Sequence, residues 1–62
     1  MIEPYMIFIN GVFSCIVTNV TALERKAFVN RMHTVTAVRR FEMLTFRSGR
    51  LIYHLKYQPS KV

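Results

Sequence analysis

The sequence predicts a small α+β domain in which two antiparallel β-hairpins flank one short helix, a ββαββ order. Three observations carry that expectation. Asn10-Gly11 sits between two apolar runs, Thr21 and Glu24 have capping-box spacing, and a second strand-forming region, 37–57, is centred on Ser48-Gly49.

The first hairpin is expected over 5–17. Tyr5–Ile9 and Val12–Val17 are rich in β-branched and aromatic residues, and Asn-Gly accepts the two positive φ angles of a type I′ turn. A two-residue loop there sets Ile9 opposite Val12, Phe8 opposite Phe13, Ile7 opposite Ser14 and Met6 opposite Cys15. Met6, Phe8, Phe13, Cys15 and Val17 then share one face, and Tyr5, Ile7, Ile9, Val12 and Ile16 the other. Both faces are apolar, so both need cover, one from the helix and one from a second subunit. The expected oligomer interface is Tyr5, Ile7, Ile9, Val12 and Ile16.

The helix is expected over 22–33, with Thr21 as N-cap and Glu24 reaching back to it. Its amphipathicity is poor: Leu23 and Ala27 fall on one side, Phe28 and Met32 roughly opposite, which suits a helix touching two surfaces. His33 falls near its end, where a cation complements the helix dipole. Thr34–Thr36 reads as a connection, Val38–Phe46 as one strand and Leu51–Tyr57 as its return. The tail, 58–62, reads as frayed, because Pro59 cannot extend a strand. One domain, 1–62, accommodates all of this.

Composition bounds the function. A chain of 62 residues buries a small core, and its stability is thin without a staple. Cys15 is the single cysteine, so no intrachain disulfide forms, and with only His33 and His54 beside it a structural zinc lacks ligands. No metal or other cofactor is expected. Self-association is the remaining staple, and 52% hydrophobic residues agree with a dimer or larger complex. A lone cysteine of this kind suits a reducing, cytoplasmic compartment.

Enzyme chemistry finds little to work with. Glu3, Glu24 and Glu42 fall on different elements, so no carboxylate pair performs acid and base work. Cys15 and His54 are the one conceivable nucleophile and base, with Cys15 in mid-strand apolar surroundings. A metal-independent ribonuclease would have to use Arg47, Arg50, Tyr53 and His54. Gly11 and Gly49 are isolated turn residues and form no phosphate-cradling loop. The uncharged stretch from Pro4 to Leu23 is about as long as a membrane-spanning helix, which makes a membrane-associated protein a further alternative; Asn10, Ser14 and Asn19 within it argue against spanning.

Charge points to the partner. Nine Lys and Arg stand against three Asp and Glu, a net +6, and no basic residue precedes Arg25. Such a balance favours nucleic acid or an acidic protein surface. Taking Ser48-Gly49 as a two-residue loop pairs Phe46 with Leu51, Leu44 with Tyr53, Glu42 with Leu55 and Arg40 with Tyr57 on the core side. A three-residue turn with a bulge would shift the strands and partly dissolve the outer face. In the first register Arg39, Phe41, Arg47, Arg50, His54 and Lys56 gather there, where phosphates would meet cations and a base would stack on the ring. The expected function is nucleic-acid binding through that face; the alternative is an inhibitor or adaptor docking on a host protein. The small size, the basicity and the lack of catalytic groups resemble the small accessory proteins of phages and mobile elements, which act by binding.

Overall fold

Five antiparallel strands form one sheet with a single helix on one of its faces, in a computed structural model that describes residues 3–56. Chain order is β1 (Tyr5–Ile9), β2 (Val12–Val17), α1 (Val20–Val29), β3 (Thr34–Arg39), β4 (Glu42–Arg47) and β5 (Arg50–Lys56). Spatial order is β2-β1-β3-β4-β5, so β2 and β5 are the edges. The α+β class and the hairpin–helix–hairpin plan hold, with an additional strand. The expected tail, 58–62, and the expected pairing of Tyr57 lie outside the described residues.

The extra strand comes from a turn that carries no glycine or asparagine. What reads as one strand over Val38–Phe46 doubles back at Arg40-Phe41, with Arg39 opposite Glu42, and Thr34–Thr36 becomes the start of β3. Neither turn residue takes a positive φ, so nothing local announces the reversal. The contacts that hold it are between side chains, two of them local and one to Glu3. Arg39 Nε donates to Glu42 Oε1 at 2.6 Å across the turn, Arg40 Nε lies 3.2 Å from Glu3 Oε2, and the Arg40 guanidinium sits 5.8 Å from the Phe41 ring centroid.

The two glycine turns form as their residues dictate. Asn10 and Gly11 take φ of 51° and 81°, and Ser48 and Gly49 take 56° and 77°, the paired positive angles of a type I′ hairpin. Asn10 also reaches beyond its own turn. Its backbone N–H donates to Thr34 O at 2.8 Å, its Oδ1 accepts from Thr34 N–H at 3.0 Å, and its Nδ2 lies 3.0 Å from His33 Nδ1. One side chain therefore clamps the first hairpin to the start of β3.

Past each turn the register slips by one residue. Ile9 faces Val12 and Phe8 faces Phe13, as expected, but Ile7 faces Cys15 and Met6 faces Ile16, leaving Ser14 as the inserted residue. In the second hairpin Arg47 faces Arg50 and Phe46 faces Leu51, as expected. Thr45 then faces Tyr53, Leu44 faces His54 and Glu42 faces Lys56, with Ile52 inserted. These bulges correct the expected registers, because a one-residue insertion exchanges the faces of every side chain beyond it.

The core lies between the helix and one sheet face. Tyr5, Ile7, Val35, Ala37, Leu44 and Phe46 meet Leu23 and Ala27, and Ile9, Cys15 and Val17 pack around them. The helix starts two residues before the expected Ala22. Asn19 is its N-cap, accepting from Ala22 N–H at 2.7 Å, in place of Thr21; Asn is the stronger capping residue and directly follows the sheet exit. The helix ends at Val29 because Asn30 donates both its backbone N–H and its Nδ2 to Lys26 O, at 3.1 and 2.9 Å. His33 therefore lies beyond the helix, held by Asn10.

The interface expected from the first hairpin is corrected by this packing. Tyr5 and Ile7 are core residues and Ile9 packs against them, so these three face the helix. Only Val12 and Ile16 of the expected set are exposed.

Candidate nucleic-acid interface

The six residues expected to form one basic face are divided between two ends and two faces of the molecule. Arg47 and Arg50 do face each other across the Ser48-Gly49 turn, on the side of the sheet away from the helix. Arg39 and His54 lie on the helix side, both held by Glu42. Lys56 pairs in register with Glu42 at that same end, and Phe41 occupies the β3–β4 turn, 41% exposed. The bulge at Ile52 is the cause: it rotates His54 and Lys56 to the helix side and brings Tyr53 and Leu55 to the open side instead.

At this end the two arginines of the β3–β4 turn, Arg39 and Arg40, are paired with carboxylates. Glu42 accepts from Arg39 Nε at 2.6 Å and from the Tyr5 hydroxyl at 3.1 Å through Oε1, and its Oε2 lies 2.8 Å from His54 Nε2. The Arg39 guanidinium also lies 4.4 Å from the Tyr5 ring centroid. Burial raises the Glu42 carboxyl pKa, but the hydrogen bonds from Arg39, His54 and Tyr5 together outweigh it and hold the group below its ordinary value. Burial, reinforced by the bond to Glu42, raises the Tyr5 phenol. Arg40 is answered by Glu3. This end is a closed electrostatic cluster.

The opposite end is open. The β4–β5 turn lies against the end of α1: a Cβ placed on Gly49 would stand 3.5 Å from Arg31 Cβ and 3.6 Å from Phe28 Cα. Arg31 thereby stands beside the turn that carries Arg47 and Arg50; in the sequence it is one of three basic residues, with Arg25 and Lys26, spread around the helix and able only to add phosphate contacts. Its guanidinium covers the Phe28 ring at 4.8 Å, and Nη1 donates to Phe28 O at 3.3 Å. Phe28 is 61% exposed. Among the described residues no carboxylate pairs with Arg31, Arg47 or Arg50.

The arrangement offers three arginines and an exposed aromatic ring around one turn, suited to phosphate oxygens and a stacking base. The one conceivable catalytic pair is not assembled. Cys15 and His54 lie on opposite edge strands, four strand spacings or about 19 Å apart. The possible ribonuclease set is split as well, with Arg47, Arg50 and Tyr53 on the open side of the sheet and His54 on the other. No group of metal-binding side chains occurs among the described residues, and none of their helices is long and apolar enough to cross a membrane. No protein-family model, characterised protein or solved structure matches this chain.

Proposed function

We propose that this chain is a small, non-enzymatic, cytoplasmic nucleic-acid-binding protein whose contact surface is the end formed by Arg31, Arg47, Arg50 and Phe28. The observation that carries the reading is the segregation of charge. The carboxylates Glu3 and Glu42 are engaged at one end, while at the other Arg47 and Arg50 on the open face and Arg31 on the helix side flank one turn, with no carboxylate paired to them among the described residues. Arg47 and Arg50 repel each other directly across the turn, a mutual cost of some tenths of a kcal/mol that a bound phosphate removes. Arg guanidinium groups bind phosphate bidentately, and a single-stranded base can stack on the neighbouring ring.

Fluorescence anisotropy with labelled single-stranded RNA, single-stranded DNA and duplex DNA, at two salt concentrations, tests this reading. Three phosphate contacts predict a loss of affinity between 50 and 200 mM salt of about 40-fold for a duplex and about 20-fold for a single strand, and six, from two copies, about 2,000-fold and about 300-fold. Binding that tracks salt in this way and falls on charge reversal at Arg47 and Arg50 supports the assignment. Binding that survives the reversal overturns it. Absence of binding to all three probes, with capture of an acidic protein after nuclease treatment, makes a protein the ligand of this end.

A further inference from the structure

Among the described residues nothing covers the sheet face away from the helix. The register places Ile16, Met6, Val38, Met43 and Leu55 in one row across all five strands, and Phe13, Phe8, Thr36, Thr45 and Tyr53 in the next. Neither row contains a charge. Ile16 is 57% exposed, Phe13 and Tyr53 each 51%, Leu55 47% and Met6 42%. Phe8 and Phe13 meet edge to face at 5.7 Å. A continuous apolar surface of this width marks an interaction site.

We infer that this face is the interface of a homodimer in which two copies pack sheet against sheet, with the helices outside. The first argument is stability. Eight buried side chains form the core, and the open face offers eight more apolar ones. A fold of this size needs that burial whenever it is folded, and the partner present in every folding event is the chain itself.

The second argument is self-complementarity. A two-fold axis lying in the interface, across the strands and between the two rows, sets the aromatic row of one copy over the aliphatic row of the other. Sheets packed in this way stand about 10 Å apart.

The third argument is charge. Two chains of +6 associate only where their cations are absent. On this face the cations are Arg47 and Arg50, at the strand ends beside the turn. The same two-fold axis sends the two arginine ends to opposite extremities of the dimer, where both remain open to a ligand.

Sedimentation of the nuclease-treated chain, without nucleic acid, reads the result directly. The expected species between about 10 and 100 µM is a dimer, twice 7.3 kDa. Val38→Glu, central in the aliphatic row, is expected to weaken dimerisation at least 100-fold, whereas Val29→Glu, on the exposed side of the helix, leaves it unchanged. In a Cys15→Ser background a short bis-maleimide is expected to join Thr36→Cys chains and not Glu24→Cys chains. That comparison decides the matter should Val38→Glu fail to fold. A wild-type monomer at 100 µM overturns the inference, as does a dimer cross-linked through Glu24→Cys and not through Thr36→Cys. Because no nucleic acid is present, either failure leaves the reading of the arginine end untouched.

Discussion

The two ends of the sheet carry similar numbers of cations and treat them in opposite ways. At the β3–β4 end Arg39 and Arg40 are tied to Glu42 and Glu3, and the Glu42 carboxylate gathers a phenol, a guanidinium and an imidazole. At the β4–β5 end Arg47 and Arg50 are set face to face beside Arg31 with no counter-charge. The first arrangement stabilises a turn that lacks its own turn residues. The second opposes folding slightly and is relieved by an anion. A basic residue in this chain therefore has two distinct uses, and its neighbours, not its identity, decide which.

The largest effect that would break this contrast is on binding. Arg47→Glu with Arg50→Glu is expected to lower nucleic-acid affinity by two orders of magnitude or more at low salt while leaving the thermal midpoint nearly unchanged, since two glutamates face to face keep the like-charge pairing. Arg40→Glu at the other end should change affinity less than threefold. Equal losses from the two ends would show that only net charge matters.

The next effect is on stability. Glu42→Gln is expected to cost about 1–3 kcal/mol at pH 7, since it weakens charge-assisted hydrogen bonds at a mostly buried carboxylate. The pH dependence has a definite sign. Because the folded Glu42 pKa is depressed, its contribution is present above the unfolded value of about 4.5 and disappears as pH falls through the lower folded value. Urea melts at neutral pH should separate wild type from Glu42→Gln, and the gap should close in strong acid. A gap that persists below both pKa values would mean that the carboxylate acts through packing.

Smaller effects sharpen the account of the open end. Asn10→Gly keeps the positive φ but removes the side-chain bonds to Thr34 and His33, and about 1 kcal/mol of stability should go with them. Ser48→Asn, at φ 56°, replaces a residue that tolerates the left-handed region poorly with one that accepts it, and a gain of about 0.5 kcal/mol is expected with binding unaltered. Thermal melts check both.

How much of the site was legible follows from the kind of signal each residue leaves. Arg47 opposite Arg50 could be read directly, since two residues between them, one a glycine, define the turn. Arg39, His54, Lys56 and Phe41 could not be placed, because their face depends on a bulge at Ile52 and a reversal at Arg40-Phe41. Arg31 could be read only as one of three scattered helix cations able to add phosphate contacts, since the tertiary packing of Gly49 against the helix end is what brings it to the turn. The expected interface failed for the same reason in the first hairpin. Tyr5, Ile7 and Ile9 went to the helix, and the bulge at Ser14 carried Cys15 and Val17 with them.

By itself, then, the sequence determined the α+β class, the positive-φ turn at Asn10-Gly11, the place of a second turn at Ser48-Gly49, the presence of a helix between them and the excess of positive charge. Each of these is a local or additive property, written in the φ range a residue tolerates, in an i,i+3 spacing or in a sum of charges. The tertiary structure alone decided which side chains share a face, where the strand breaks into two and which arginines meet. The first hairpin is apolar on both sides and the second mixes apolar with basic residues on its outer side, so neither alternation forbids a one-residue slip. The choice falls to whichever register lets Tyr5, Ile7, Leu44 and Phe46 pack together on Leu23 and Ala27.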